Sequence, residues 1–323
     1  RHERGAALLT VLLLVAVMAT VSATALDRLT LATRLTGNAA VVGQARWWLV
    51  MAEQLAAVRL EDMLARSPNR VTAAGNWLDT PRRVALPDGG QVTARVSDAA
   101  NCFNLNSLVS RNPEDGELYP RPAALTQFRT LLTTVGVEAS NASRIASSAT
   151  DWIDTDDVPL PDGAEDSVYA DRGRLPPNRT MAHESELNAV AGMTPQIATL
   201  IRPWICVLPD HGITALNVNT LRPDQAPLIA MLAPEQIGVE QARSAIAQRP
   251  SGGFASAEDF WKSPAFQRTI LPQGTRDQVT VSSNWFRLHA SAANAGVSVA
   301  QTALLGVQDG KVRVLRREWD KAE

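Results

Sequence analysis

Apolar residues follow three rhythms along this chain. The first is unbroken: Ala6 to Leu26 reads AALLTVLLLVAVMATVSATAL, twenty-one residues without a charge, Pro or Gly. About 20 apolar residues in a helix span a bilayer core, so this run is long enough to cross one. The second rhythm is helical. No Pro interrupts Asp27 to Arg66, where Leu29, Leu31, Leu35, Trp47, Trp48, Met51, Leu55, Val58, Leu60, Met63 and Leu64 interleave with charges. Ser67-Pro68-Asn69 ends it. One continuous helix from Ala6 to Arg66 would be roughly 90 Å long at 1.5 Å per residue. Trp47, Val50, Met51, Leu55 and Val58 form its expected contact face with the rest of the fold. The third rhythm is alternation. Gln91 to Val96 is β-branched and alternating, and the pattern returns at Gln278–Ser282, Trp285–Ala290, Ser298–Gly306 and Lys311–Leu315. Asp309-Gly310 is a hairpin turn between the last two.

Between the first strand and the later ones lie roughly 170 residues, too many for a loop, so they form an inserted domain. The insertion repeats itself. Phe103-Asn104-Leu105-Asn106-Ser107-Leu108 matches Leu216-Asn217-Val218-Asn219-Thr220-Leu221. Each precedes two helical segments, Ala123–Val135 with Ala139–Ile153 and Asp224–Leu232 with Val239–Arg249. Asn side chains bond nearby backbone, and the Ser or Thr is placed to cap the helix that follows. The expected fold is α+β: a long N-terminal helix and a small antiparallel sheet, interrupted by a large α-helical insertion.

Charge and composition narrow the function classes. The net charge of −2 offers no attraction to nucleic acid or anionic lipid. The helical hairpins resemble the helix-hairpin-helix module, but their turns, Thr134 to Glu138 and Ala233 to Gly238, each carry an acid and no base. Phosphate binding needs the reverse, so nucleic acid is not an expected partner. Arg1 and Arg4 before the apolar run place that end in the cytoplasm and the bulk of the chain outside it. A cleaved signal peptide is the alternative, but its apolar core is usually shorter, about 7–15 residues. In an oxidising compartment Cys102 and Cys206, at the two edges of one segment, are expected to pair; two unrelated buried thiols are the alternative.

The most unusual composition is DWIDTDDVPLPDGAEDSVYAD, from Asp151 to Asp171: eight acids and no base in twenty-one positions. Interleaved Trp152, Ile153, Val168 and Tyr169 imply packing, and Pro159, Pro161 and Gly163 supply bends. Hard oxygen donors in a bent loop suit Ca²⁺, whereas Zn²⁺ is disfavoured because the segment holds no His or Cys. The bland reading is a solvated acidic face. No nucleophile, His pair or zinc motif points to catalysis, and none is expected.

Arg4-Gly5-Ala6-Ala7-Leu8-Leu9 resembles the prepilin-peptidase site of pilins and pseudopilins, cut between Gly5 and Ala6. Where most members carry Glu, this chain has Thr10. That departure, the chain length and the internal motifs resemble the K-class minor pseudopilins of the type II secretion system. The resemblance implies a leader at 1–5, a helix at 6–66, a pilin-like unit from 67–103 and 274–323, and an insertion at 104–273 of two similar units, about 104–208 and 209–273. It implies a calcium site to which Asp154, Asp156, Glu165 and Asp166 match best, with Asp151 and Asp157 as further ligands and Glu186 a weaker one. It implies a single-pass inner-membrane protein with a periplasmic head, at the tip of a short pseudopilus that supports export of folded proteins. Its partners would be the I, J and H classes of minor pseudopilin, the inner-membrane secretion platform and, more remotely, secreted substrates. A subunit with nothing ahead of it has no neighbouring amine to neutralise, and an uncharged Thr10 suits that position. The competing reading is a bitopic periplasmic protein that presents a calcium-stabilised binding module.

Overall fold

The structure is a computed structural model and describes residues 3–321, except 88, 171, 172, 174 and 295. Asp171 of the acidic run therefore lies outside the described residues. Helix α1 runs from Glu3 to Arg66, 64 residues, and includes Gly5, Ala6 and Thr10. Pro68, which has no N–H to continue the ladder, follows its last turn. Strands β1 (Arg82–Ala85) and β2 (Gln91–Asp98) come next, followed by short β3 (Phe103–Asn104), β4 (Val109–Arg111) and β5 (Leu118–Pro120). Helices α2 (Pro122–Thr134), α3 (Ala139–Asp151), α4 (Asp166–Tyr169) and α5 (Pro195–Ile201) lead to β6 (Ile205–Cys206) and β7 (Leu216–Asn217). Helices α6 (Ala226–Ala230), α7 (Val239–Ala247), α8 (Ala257–Trp261) and α9 (Gln273–Arg276) precede β8 (Val279–Thr280). Three long strands close the chain: β9 (Trp285–Asn294), β10 (Val297–Gln308) and β11 (Lys311–Lys321).

Five strands form one antiparallel sheet in the order β1-β2-β9-β10-β11. Strand β1 went unseen in the sequence because all four residues are exposed at the edge, which leaves no alternation to read. One sheet face packs on α1 through Val92, Phe286, Leu288, Ala290, Ala303 and Leu305. The helix meets it with Ala45, Leu49, Glu53, Ala57 and Leu60, all buried. The expected contact face is corrected here. Trp47, Met51, Leu55 and Val58 are exposed and point away from the sheet, and Val50 is half-buried at the flank. Small residues bring the helix close to the sheet, and the bulky stripe is left outside.

A β-bulge at Leu315 shifts the phase of β11: Leu305 pairs with Val314, whereas Leu304 pairs with Arg316. Val312 and Val314 face α1 before the bulge, and Arg317 does so after it. Gly306 makes this possible, since a Cβ there would collide with the Leu315 and Trp285 side chains. Arg317 then grips Glu53 with two hydrogen bonds, Nε at 2.8 Å and Nη2 at 2.5 Å. Gln301 donates to the same carboxylate at 2.5 Å.

The insertion holds one continuous apolar core, with Phe103 stacked on Phe128 at 4.8 Å and Phe260 against Phe254 and Phe266. It comprises two units of the same design. In the first, β3 pairs parallel with β6; in the second, β7 pairs parallel with β8. The stretch Gln278–Ser282 thus closes the second unit and is not part of the main sheet. Alternation marks a strand without naming its partner. The Asn-x-Asn turns work alike. Asn106 bonds both backbone groups of Met181, its Nδ2 donating at 3.0 Å and its Oδ1 accepting at 2.8 Å. Asn219 does the same to Phe254, at 3.0 and 2.7 Å. Ser107 and Thr220 do not cap a following helix; the Ser107 hydroxyl donates back to the Asn104 carbonyl, and the Thr220 hydroxyl donates to the Asp98 carboxylate.

The insertion sits on the sheet face opposite α1. Trp285 and Leu304 of the sheet meet Ala99, Cys102, Cys206 and Leu208. Cys102 and Cys206 are bridged there, with Cα atoms 5.8 Å apart. Asp98 completes the joint: its carboxylate accepts from the Ala100 amide and the Thr220 and Ser283 hydroxyls.

Candidate metal centre

The acidic loop begins where α3 ends. Asp151 is the last helical residue, and the chain turns so tightly that the amides of Ile153 and Asp154 both bond to Thr150 O. That turn places Asp151 and Asp154 on one side. Glu165 reaches them from the start of α4, which is tied down by Tyr169. The Tyr169 ring meets Trp152 edge-on at 5.3 Å, and its hydroxyl accepts from the Ala191 amide at 3.0 Å. Asp151, Asp154 and Glu165 then offer carboxylate oxygens within 4.8 Å of one another, all three residues buried.

Their satisfaction is uneven. Asp151 accepts from the Leu160 amide at 3.2 Å and the Ala164 amide at 2.7 Å. Both oxygens of Asp154 and both of Glu165 are buried with no hydrogen-bond partner. Burial pushes the Asp154 carboxyl up to about 8, with Asp151, Asp156 and Glu165 adding repulsion. Burial and the neighbouring acids raise Glu165 to about 7, and burial raises Asp151 to about 6. Four orphaned carboxylate oxygens facing one another, at the negative end of α3, are a site for a cation or for protons. Gly163 shapes the wall, because a Cβ there would collide with Asp151 Oδ2.

The remaining expected ligands stand outside this triad. Asp156, Asp157 and Asp166 are exposed. Asp156 accepts from the Val158 amide at 2.8 Å, and Asp157 lies 3.4 Å from Asn178 Nδ2. Glu186 is elsewhere: it caps a 3-10 turn, Glu184–Ala189, by accepting from the Ala182 and His183 amides at 2.6 and 3.1 Å. The backbone donors at Leu160 and Ala164 left no mark in the sequence, since any residue supplies an amide.

Comparison with known proteins now places the chain. Residues 101–210 and 216–282 each match a family described as type II secretion system (T2SS), protein K. The type II secretion system protein K of Klebsiella pneumoniae is 34% identical over 320 residues, 98% of this chain and 97% of that protein. The chain belongs to the type II secretion system protein K family. Protein K of Pectobacterium carotovorum is 33% identical, again over 98% of this chain. A solved GspK-GspI-GspJ complex from enterotoxigenic Escherichia coli contains a chain 27% identical to this one. It superposes with a TM-score of 0.78 and covers 89% of this chain and 99% of that one. The family and the α+β, pilin-like fold with a helical insertion, expected from the sequence, are both borne out. The two matched segments coincide closely with the two repeated units of the insertion.

Proposed function

We propose that this protein K family member is the tip subunit of a periplasmic pseudopilus. It is anchored in the inner membrane by Ala6–Leu26, with its N-terminus cytoplasmic, and starts assembly with other minor pseudopilins. The observation that carries this reading is the outer face of α1. Trp47, Met51, Leu55 and Val58 are 53–73% exposed, on a helix whose opposite face is already used by the sheet. An apolar stripe on a helix that also carries a membrane-length run suits packing against other helices of the same kind. The solved relative was captured with GspI and GspJ, which supports I- and J-class proteins as the partners. Co-expression followed by cross-linking from position 47 or 55 tests it. Adducts to those partners are expected; their absence in intact membranes would remove the assignment.

The acidic triad is proposed to hold Ca²⁺. Asp151, Asp154 and Glu165 supply hard oxygen donors, and the orphaned oxygens of Asp154 and Glu165 fit a cation better than they fit an apolar interior. Asp156, Asp157 and Asp166 lie close enough in sequence to complete a coordination shell of about 6–8 oxygens. The ion would neutralise the loop and hold it to the end of α3. Its role is structural: metal that binds only the folded form adds stability by mass action. Titration of chelator-treated protein with Ca²⁺, read by melting temperature, tests this, and no rise would leave the triad a protonated cluster.

A further inference from the structure

The insertion and the α1–sheet unit have separate apolar cores. The chain crosses between them twice, once where β2 ends and once just before β9 begins. Both crossings meet at one point, where the Ser283 hydroxyl donates to the Asp98 carboxylate. Further links gather at that end, around the second unit of the insertion. Asn217 Nδ2 donates to Val71 O at 3.0 Å, and the Val71 amide donates to Val281 O at 2.8 Å. Two crossings held side by side define an axis about which a packed body can turn.

Away from that axis the contact is thin. Its apolar part is the small cluster of Ala99, Cys102, Cys206, Leu208 and Leu304, with Trp285 packed beside it. Two clefts open next to this cluster, of about 380 and 180 Å³, each lined by the insertion and by the sheet. The far rim is closed by polar bonds. Ser97, Arg287, Leu304 and Arg316 stand in one row across β2, β9, β10 and β11. Arg316 is thus three strand spacings, roughly 14 Å, across the sheet from the axis. It donates to the Ala182 and Val207 carbonyls and lies 3.5 Å from Glu184, while Glu318 lies 2.8 Å from His183 Nε2. The bulge at Leu315 makes this possible, since it turns Arg317 to α1 and leaves Arg316 facing the insertion. Arg316, Glu318, His183 and Glu184 are all half-buried. Ionic bonds open to water are broken and remade at little net cost, unlike buried apolar packing.

We propose that the insertion turns as one body about the Asp98–Ser283 axis, and that Arg316 is the latch that holds it against the sheet. Opening parts the first unit from β10 and β11 and widens the clefts, while the second unit stays seated. The inference goes beyond the assembly role and is tested on the single chain, so either can fail without the other. The test measures distances between nitroxide labels on the full chain in detergent micelles. One label replaces exposed Gln308 at the β10–β11 turn and the other replaces exposed Gln196 on α5, at the cleft wall. The native cysteines are bridged and take no label. Arg316→Gln and Glu184→Gln should each add a second, longer distance, its population about tenfold above that of the parent. Salt at about 1 M, where screening acts within ~3 Å, should do the same to the parent and needs no substitution. A control pair at Gln196 and Ala247, both exposed and both in the insertion, should keep one distance throughout. A single unchanged distance between 196 and 308 in all three arms would overturn the proposal. So would equal broadening of the control pair, which would mean that the insertion loosens internally instead of turning.

Discussion

Three carboxylates within 4.8 Å in a buried setting cannot all remain charged without a partner. Their folded-state pKa values, about 6 for Asp151, about 8 for Asp154 and about 7 for Glu165, all lie above those of the unfolded chain. Protonated carboxyls therefore stabilise the metal-free fold, fully so at low pH, and that contribution is lost as pH rises through about 6 to 8. Calcium-free protein should melt several degrees lower at pH 8 than at pH 5.5, on the order of 3–6 °C. Calcium should reverse the slope, because it binds the deprotonated form. Asp154→Asn should flatten the calcium-free profile and abolish the calcium response together, read by calorimetry across that range. A second buried carboxylate follows different rules. Glu53 is fully buried in α1, and its charge is met by Arg317 and Gln301. Arg317→Ala leaves that charge without a cation and should cost about 3 kcal/mol, measured by urea unfolding. Glu53→Gln, which keeps the shape and removes the charge, should cost clearly less.

At the scale of elements, the duplicated Asn turn explains why the insertion is so regular. The second Asn of each turn clamps both backbone groups of one returning residue, Met181 or Phe254, and Asn106 donates to the Leu208 carbonyl as well. Asn219→Ala strands both backbone groups of Phe254 in a buried site and should destabilise by about 2–4 kcal/mol, by the same denaturant measurement. The first unit also carries the β4–β5 hairpin and, after α3, the acidic loop. The disulfide acts one level up. It closes a segment of sequence separation 104, and its loss in C102S/C206S should cost up to ~4.7 kcal/mol by the chain-entropy argument. Much of this was legible in the residues. The apolar run, the paired Asn motifs, the acidic loop and the two cysteines are local signals, each with its own physical cause. The rest depends on contacts and exposures that no local pattern records. Strand β1 is exposed on every residue, β8 pairs within the insertion, and the covered face of α1 is built from Ala, Leu and one Glu. Glu186 is a weaker ligand by the family resemblance, yet in the fold it caps its own turn and accepts from the Ala182 and His183 amides.

For the whole molecule, the two faces of α1 set up the assembly. One face is committed to the sheet, and the insertion loads the far side of that sheet, so the head grows away from the helix. The uncovered side of α1 is apolar from Leu8 up through Leu29 and again from Trp47 to Val58. A neighbouring helix can therefore approach along one side of α1 without displacing the head. An insertion carried on the sheet face opposite α1 suits the proposed place at the end of a filament. Thr10 fits the same position, as it removes a carboxylate that a first subunit would have to bury unpaired. The two features make separable predictions. Met51→Glu with Leu55→Glu should leave the melting temperature of the isolated chain within about 2 °C, because both side chains are already in solvent. The same pair should abolish cross-linking to I- and J-class partners, since two carboxylates would be desolvated in a helix–helix contact. Thr10→Glu should spare contacts between the periplasmic heads and impair only the membrane-stage start of assembly, scored by pseudopilus number and secretion. Normal assembly by the stripe variant would show that the heads alone recruit partners, and that α1 serves as an anchor.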